Sequence, residues 1–418
     1  MTEYISPATK HVALPSPFAM KRGGKLYGAK IAYETWGSPS PSGDNVVLLL
    51  TGMSPNAHAC SSKDDASPGW WEAMLGPGKP IDTNRWYVIC LNSLGSCHGS
   101  TGAASYNAQT GELYRLNFPD LSIEDIADAA ACVIRTLGFE RLACVVGCSM
   151  GAMSALALIA RNPGFAHGHI NISGAVHALP FSIAIRAMQR KAILLDPNWN
   201  NGCYDDTNYP VDGMKTARKL GIITYRSANE WTDRFGRLHI RDQDRAKSGP
   251  FGIEFEVERY LEKQALRFAR SYDPNCYLYM SQSIDWFDLG DCMTGNVELE
   301  FQNMSLDSAL VIGVHSDILF PLHQQQRIAD SLRERGVPTS FHALESSQGH
   351  DAFLVDIDRF GPVVRKYMEE LTGGLSMHRR HVKPAERIGQ LDAQAPQTSM
   401  GDRRSLRSKV PLPSNTTV

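Results

Sequence analysis

Six short aliphatic runs recur along the chain: Val46 to Leu50, Trp86 to Leu91, Leu142 to Val146, His169 to Ser173, Ala309 to Val314 and Phe341 to Leu344. They sit beside turn residues and read as parallel strands buried in the sheet. Between them the apolar spacing lengthens to that of helices. Ser122-Ile123-Glu124-Asp125 opens one such run, which ends at Leu137 and Gly138. There Ser122 can cap the first turn, with Asp125 answering it three residues later. Strands alternating with helices predict a doubly wound α/β sheet. From about Gly174 to Leu306 the patterning is mainly helical. An insertion of roughly 130 residues between two strands is long enough to form a helical cap over the sheet edge. The expected division is 1–174 and 306–371 for the catalytic body and 175–305 for the cap.

The strongest chemical signal is Val145-Val146-Gly147-Cys148-Ser149-Met150-Gly151-Ala152. An apolar strand enters G-x-S-x-G and leaves into an alanine-rich helix from Ala152 to Ala160, the context a nucleophile elbow requires. Small neighbours permit the sharp turn that lifts the Ser149 hydroxyl above the sheet. Cys148 is the rival nucleophile, but one residue before the apex it points away from the exposed position.

A serine hydroxyl needs a base and the base an orienting carboxylate, which in this context follow in the order acid, then histidine. Asp317 stands just past the strand Ala309 to Val314, and His350 in a loop after the next strand, 33 residues on. His315, His342 and Asp351 are the competitors. The first two read as packing or hydrogen-bonding residues, and Asp351 adjoins the base rather than facing it. The oxyanion hole is expected from the amide of Met150 and one at Leu50 or the Thr51-Gly52 turn.

Composition narrows the setting. At 43% hydrophobic and 21% charged, the 418 residues have ordinary globular usage, which excludes collagen, wholesale disorder and coiled coil. Lys plus Arg number 42 against 44 Asp plus Glu, so no global field attracts nucleic acid or a membrane surface. Small molecules are the expected partners. Neither a leader at Met1 to Ile5 nor a span long enough for a bilayer is evident, and a cytoplasmic location is expected. Nine cysteines without a C-x-x-C pair read as reduced thiols. No metal site is expected. Beyond Leu371, residues 372–418 carry eight Lys or Arg against three Asp or Glu and few apolar positions, which predicts a flexible basic tail on a mildly acidic body.

Further segments resemble the homoserine O-acyltransferases and their serine O-acyltransferase relatives within the α/β-hydrolase superfamily. They are Leu50-Thr51-Gly52, Asn92-Ser93-Leu94-Gly95, Gly99-Ser100-Thr101-Gly102, Phe118-Pro119, the elbow, Asp196-Pro197 with Trp199, Ala217-Arg218, Thr224-Tyr225-Arg226-Ser227 and Gly349-His350-Asp351-Ala352-Phe353-Leu354. The match covers most of the body and none of the tail.

The resemblance implies an α/β-hydrolase fold and a ping-pong acyl transfer through Ser149, with acyl-CoA as co-substrate and no resident cofactor. It implies a homodimer, and assigns Arg218 and Asp351 to the two charges of an amino-acid substrate. Gly52-Met53-Ser54-Pro55, longer than in many acetyl-transferring relatives, is similar to the serine O-succinyltransferase branch and implies acceptor specificity. Arg186 replaces a neutral residue and implies recognition of a succinyl carboxylate from succinyl-CoA. Ala152 departs from the second glycine of many relatives, adding bulk beside Gly151. Succinyl transfer to serine, in cysteine synthesis, is the expectation. Acyl transfer to homoserine, ester hydrolysis and a non-catalytic binding role are the alternatives.

Overall fold

Five of the six runs form the interior of the sheet and the sixth one edge in the computed structural model, which describes residues 5–245 and 249–381. The eight strands of the main sheet are β1 (Lys10–Ala13), β2 (Lys30–Trp36), β3 (Val46–Leu50), β4 (Tyr87–Leu91), β5 (Leu142–Cys148), β6 (Ala166–Ile172), β7 (Ser308–Val314) and β8 (Thr339–Leu344). In space they lie in the order β1-β2-β4-β3-β5-β6-β7-β8. From β4 onward every pairing is parallel, whereas β1 and β2 pair antiparallel at one edge. All six expected strands are present within a few residues, but β8, at the sheet edge, is only partly buried; β1 and β2 lie outside the expected set. In β2 the charged Glu34 is buried among apolar neighbours, its carboxylate accepting from Thr9 Oγ1 at 2.8 Å and facing His58 Nδ1 at 2.8 Å. Buried charge of this kind survives only with such partners, and it hides a strand from pattern reading.

Successive side chains of β3 point to opposite faces, as the pleat requires. Val46, Leu48 and Leu50 enter one core with helices α1 (Ile123–Thr136) and α2 (Met150–Arg161), while Val47 and Leu49 enter another. Among the described residues between β6 and β7 the regular elements are helices: α3 (Pro180–Leu194), α4 (Val211–Tyr225), α5 (Ala228–Phe235), α6 (Glu256–Ala269), α7 (Pro274–Trp286) and α8 (Val297–Asn303), with shorter single turns. Helix α9 (Leu322–Glu334) links β7 to β8, and α10 (Ile357–His381) closes the second face through Phe360, Val364 and Tyr367. That last helix crosses Leu371, where the folded body was expected to end. A helix already nucleated and packed propagates at little cost per residue, so the Gly373-Gly374 pair need not stop it. The remainder of the expected tail, residues 382–418, lies outside the described residues.

Ser122 caps α1 as anticipated. Its hydroxyl accepts from the Asp125 amide at 3.2 Å while the Asp125 carboxylate accepts from the Ser122 amide at 2.8 Å. Asp125 also accepts from the Lys21 amide at 2.7 Å, so the cap ties the N-terminal segment to α1. We predict that Ser122→Ala lowers unfolding free energy by about 1 kcal/mol in urea titration, with turnover unchanged.

Candidate active site

Strand β5 ends at Cys148 and α2 begins at Met150, so Ser149 alone makes the reversal. Its φ is 56° and ψ −124°, a strained conformation for a residue with a side chain. Two glycines make it feasible. A Cβ on Gly151 would lie 2.2 Å from the Leu50 carbonyl oxygen, and one on Gly147 would lie 2.3 Å from that of Gly151. Ala152 is different. Its methyl faces Gly174, at 2.6 Å from where a Cβ there would stand, so the departure from the usual second glycine is absorbed away from the cleft.

The Ser149 hydroxyl lies 2.7 Å from His350 Nε2, and His350 Nδ1 lies 2.7 Å from Asp317 Oδ2. Asp317 Oδ1 accepts from the amides of Leu319 (2.9 Å) and Phe320 (2.8 Å), which fixes the carboxylate just past β7. Nδ1 therefore donates to the carboxylate, and Nε2 is left to accept from the serine. Phe320 stacks on the imidazole at 4.8 Å, and Gly349, at φ 66°, starts the turn that carries it. Burial pushes the His350 pKa down, but the charge and hydrogen bond of Asp317 outweigh it, so the pKa stands above its ordinary value.

The competitors fall away by position. His315 pairs with the exposed Glu345 at 3.4 Å, and His342 lies within the edge strand β8. Cys148 is 1% exposed, and burial pushes its thiol well up, out of the range of a nucleophile.

Ser149 does not cap α2 with its side chain. The first helical amides to find a backbone acceptor are those of Ala152 (2.9 Å) and Met153 (3.2 Å), which leaves the Met150 amide without an acceptor among the described residues. Leu50 sits in the sheet, in register with Leu91 and Gly147, and the loop it feeds first lines the cleft at Gly52.

Above the serine lies a cleft of about 160 Å³. Gly52, Met53, Ser54 and Pro55 form one wall, and His350 and Asp351 belong to another. The helical insertion supplies Arg186 from α3 and Arg218 and Tyr225 from α4. The Met53 carbonyl accepts from Tyr272 at 3.1 Å, which ties that loop to the insertion. His58, three residues beyond Pro55, donates from Nδ1 to Glu34 and from Nε2 to the Ser67 carbonyl at 2.8 Å each. Burial pushes its pKa down, but the hydrogen bonds outweigh this and leave it raised, as an imidazolium with two donors should be.

Arg218 is held by its rings rather than by ions, 4.4 Å from the centroid of Phe268 and 5.7 Å from that of Tyr225, and its buried Nε has no hydrogen-bond partner. Arg186 is 5% exposed, ion-paired through Nε to Asp285, and its buried Nη2 likewise has no partner. Asp351 faces Arg226 Nε at 3.6 Å, and burial pushes its carboxyl up while Arg226, His350 and Arg218 pull it back. Every expected side-chain site thus lies on or beside one cleft. Gln189 lines it as well, and so does Tyr225, which the sequence marks only as part of a matching segment, since one ring or amide on an amphipathic helix carries no distinguishing local signal. Among the described residues no group of three or more His, Cys, Asp or Glu is placed to hold a metal ion.

Fold and site together define the α/β-hydrolase class, and the family model of the alpha/beta hydrolase fold matches residues 45–357. The chain is 58% identical over 371 residues to a serine O-succinyltransferase of Stenotrophomonas maltophilia, covering 89% of this chain and 100% of that protein. A serine O-succinyltransferase of Xylella fastidiosa is 57% identical with the same coverage. Among solved structures, homoserine O-acetyltransferase from Bacillus anthracis superposes with a TM-score of 0.78 at 25% identity, covering 86% of this chain and 97% of that one. An esterase superposes at 0.77 with 26% identity, covering 86% and 99%. The chain belongs to the alpha/beta hydrolase family, in the branch that these serine O-succinyltransferases occupy.

Because the elbow depends on the space beside Leu50, Gly151→Ala is expected to lower kcat/KM by at least about a hundredfold. Ala152→Gly should stay within about threefold of the parent, since it costs only helix stability. Comparing the two variants in one CoA-release assay checks the assignment of the tight contact.

Proposed function

We propose that this chain transfers the succinyl group of succinyl-CoA to the hydroxyl of L-serine, forming O-succinyl-L-serine and CoA. The observation that carries the reading is the hydrogen-bonded Ser149–His350–Asp317 array beneath a cleft lined by two arginines, each with a buried nitrogen that has no partner, Arg186 Nη2 and Arg218 Nε. Full-length similarity to serine O-succinyltransferases supports the same choice of donor and acceptor.

In the first half, His350 Nε2 takes the Ser149 proton as Oγ attacks the thioester carbonyl. The amide of Met150 and one from the Leu50-Thr51-Gly52 turn stabilise the oxyanion. Collapse breaks the C–S bond, and the departing thiolate leaves as CoA thiol with the proton from His350. In the second half, His350 takes the proton of the serine substrate's hydroxyl, whose oxygen attacks the acyl-enzyme. Collapse then breaks the Ser149 ester, and the proton returns to Oγ. Asp317 orients the imidazole and supports its charged form in both halves. Arg218 pairs with the acceptor carboxylate and Asp351 with its ammonium. Arg186 meets the distal carboxylate of the succinyl group, and Gly52 to Pro55 limit the size of the acceptor. The enzyme works in the cytoplasm as a homodimer, with acyl-CoA as co-substrate and no resident cofactor.

The esterase neighbour favours hydrolysis as the second reading. A donor-by-acceptor matrix separates them, because rapid CoA release should require L-serine, whereas equal release without any amino acid would assign a hydrolase. Ser149→Ala should lose about 10⁴-fold or more in kcat. In the parent, intact-mass spectrometry after succinyl-CoA alone should show one added succinyl group on the peptide containing Ser149.

The His350 pKa also fixes a pH dependence. The base form exists only above that pKa, which Asp317 raises from the ordinary 6.5. Hence kcat/KM should fall on the acid side with a midpoint above 6.5, and Asp317→Asn, besides slowing the reaction, should move that midpoint down. An unshifted midpoint in that variant would assign the limb to another group, with Asp351 the first candidate.

A further inference from the structure

Arg186 stands in a small ionic ladder between α3 and α7 that reaches beyond the cleft. Its Nε lies 2.5 Å from Asp285 Oδ1. One turn further along α3, Arg190 Nη1 lies 2.7 Å from Asp285 Oδ2 and donates to Ser281 Oγ at 2.9 Å. Ser281 and Asp285 are likewise one turn apart on α7, which packs against α3. Two guanidiniums therefore share one carboxylate. The side chains of Asp285 and Arg186 are 7% and 6% exposed and that of Arg190 18%, so the group holds a net positive charge largely away from bulk water.

The stoichiometry matters for chemistry. A lone carboxylate on Arg186 would neutralise it, and the cleft wall would then offer an anion little attraction. With Arg190 in ion contact with the second oxygen, which accepts no hydrogen bond, Asp285 anchors the inner nitrogen of Arg186, a residue that lines the cleft, and leaves its buried Nη2 without a partner. A donor so placed is costly unless a ligand completes it. The anchoring also fixes the planar fork, so less conformational freedom is lost when a carboxylate arrives.

We propose that Asp285 is a positioning residue for acyl-donor choice and that Arg190 is the counter-ion that keeps Arg186 available, together tuning the site for a thioester with a free distal carboxylate. This deepens the reading of donor specificity given above and rests on it.

The test compares the purified full-length chain with Asp285→Ala, Asp285→Asn, Arg190→Leu and, as a scale, Arg186→Leu, each with succinyl-CoA and acetyl-CoA at saturating L-serine. Asp285→Ala should raise KM for succinyl-CoA by about tenfold with kcat and acetyl-CoA use little changed. Arg190→Leu should act in the same direction, since Asp285 would then neutralise Arg186. Asp285→Asn keeps an acceptor for Arg186 Nε and should retain most succinyl preference. Circular dichroism and thermal melting show which variants are folded; should Asp285→Ala fail to fold, Arg190→Leu and Asp285→Asn decide the matter. Equal losses on both donors, or an unchanged donor ratio in Asp285→Ala and Arg190→Leu, would overturn the proposal. A parent chain that prefers acetyl-CoA would instead overturn the donor assignment itself, and a selective loss confined to Arg186→Leu would leave that assignment standing while removing Asp285 and Arg190 from it.

Discussion

The close approach between the elbow and strand β3 is the contact on which the rest of the site depends. Gly151 passes so near the Leu50 carbonyl that no side chain fits between them, and Gly147 is as tightly set against Gly151. These contacts hold Ser149 at a positive φ that it would otherwise leave. Local strain survives because the surrounding sheet over-determines it: β5 lies between β3 and β6 at the centre of eight strands. With the serine so fixed, the loops after β7 and β8 need only deliver an acid and an imidazole to the same edge. Each is itself tied down, Asp317 by two backbone amides and the His350 turn by the Gly349 amide donating to Ser316 Oγ at 3.1 Å.

How much of this can be read from sequence follows from how local each signal is. Strands β3, β4, β5 and β7 are legible because burial on both faces leaves nearly continuous apolar runs, and the α1 cap because its two partners are three residues apart. The triad is legible because strand, turn and helix meet in eight consecutive residues and the acid and base follow at strand ends. Strand β2 is not, since Glu34 breaks the apolar pattern and finds its partners only in three dimensions. Arg218 is visible through family resemblance alone, as an arginine on an amphipathic helix carries no local mark of what it faces. The state of Arg186 is a purely tertiary fact: its partner Asp285 lies 99 positions away.

Charge is handled in the same local manner. A chain with 42 basic and 44 acidic residues has no net field with which to gather anionic substrates. On the proposed reading, attraction comes from guanidiniums whose counter-charges are incomplete. Arg218 is packed between aromatic rings, which hold its plane without neutralising it. Arg186 shares its single carboxylate with Arg190. Both devices leave one buried guanidinium nitrogen of a cleft-lining arginine without a hydrogen-bond partner.

The same economy bears on how a hydrolase scaffold favours transfer over hydrolysis. Water needs no binding energy to attack an acyl-enzyme, so an acceptor wins only if the site fixes its hydroxyl at the carbonyl carbon more effectively than random encounter does. On the proposed reading Arg218 and Asp351 hold the two ends of the acceptor zwitterion, and the hydroxyl is then confined near His350 Nε2. Asp351 is adjacent in sequence to that base, and Arg218 shares the Tyr225 ring that lies 6.2 Å from it. Binding and proton transfer are thus referenced to the same few elements, the turn at Gly349 and the end of α4. Displacing either one changes the acceptor's position and the base's together, so the selectivity against water is built into the geometry that performs the chemistry.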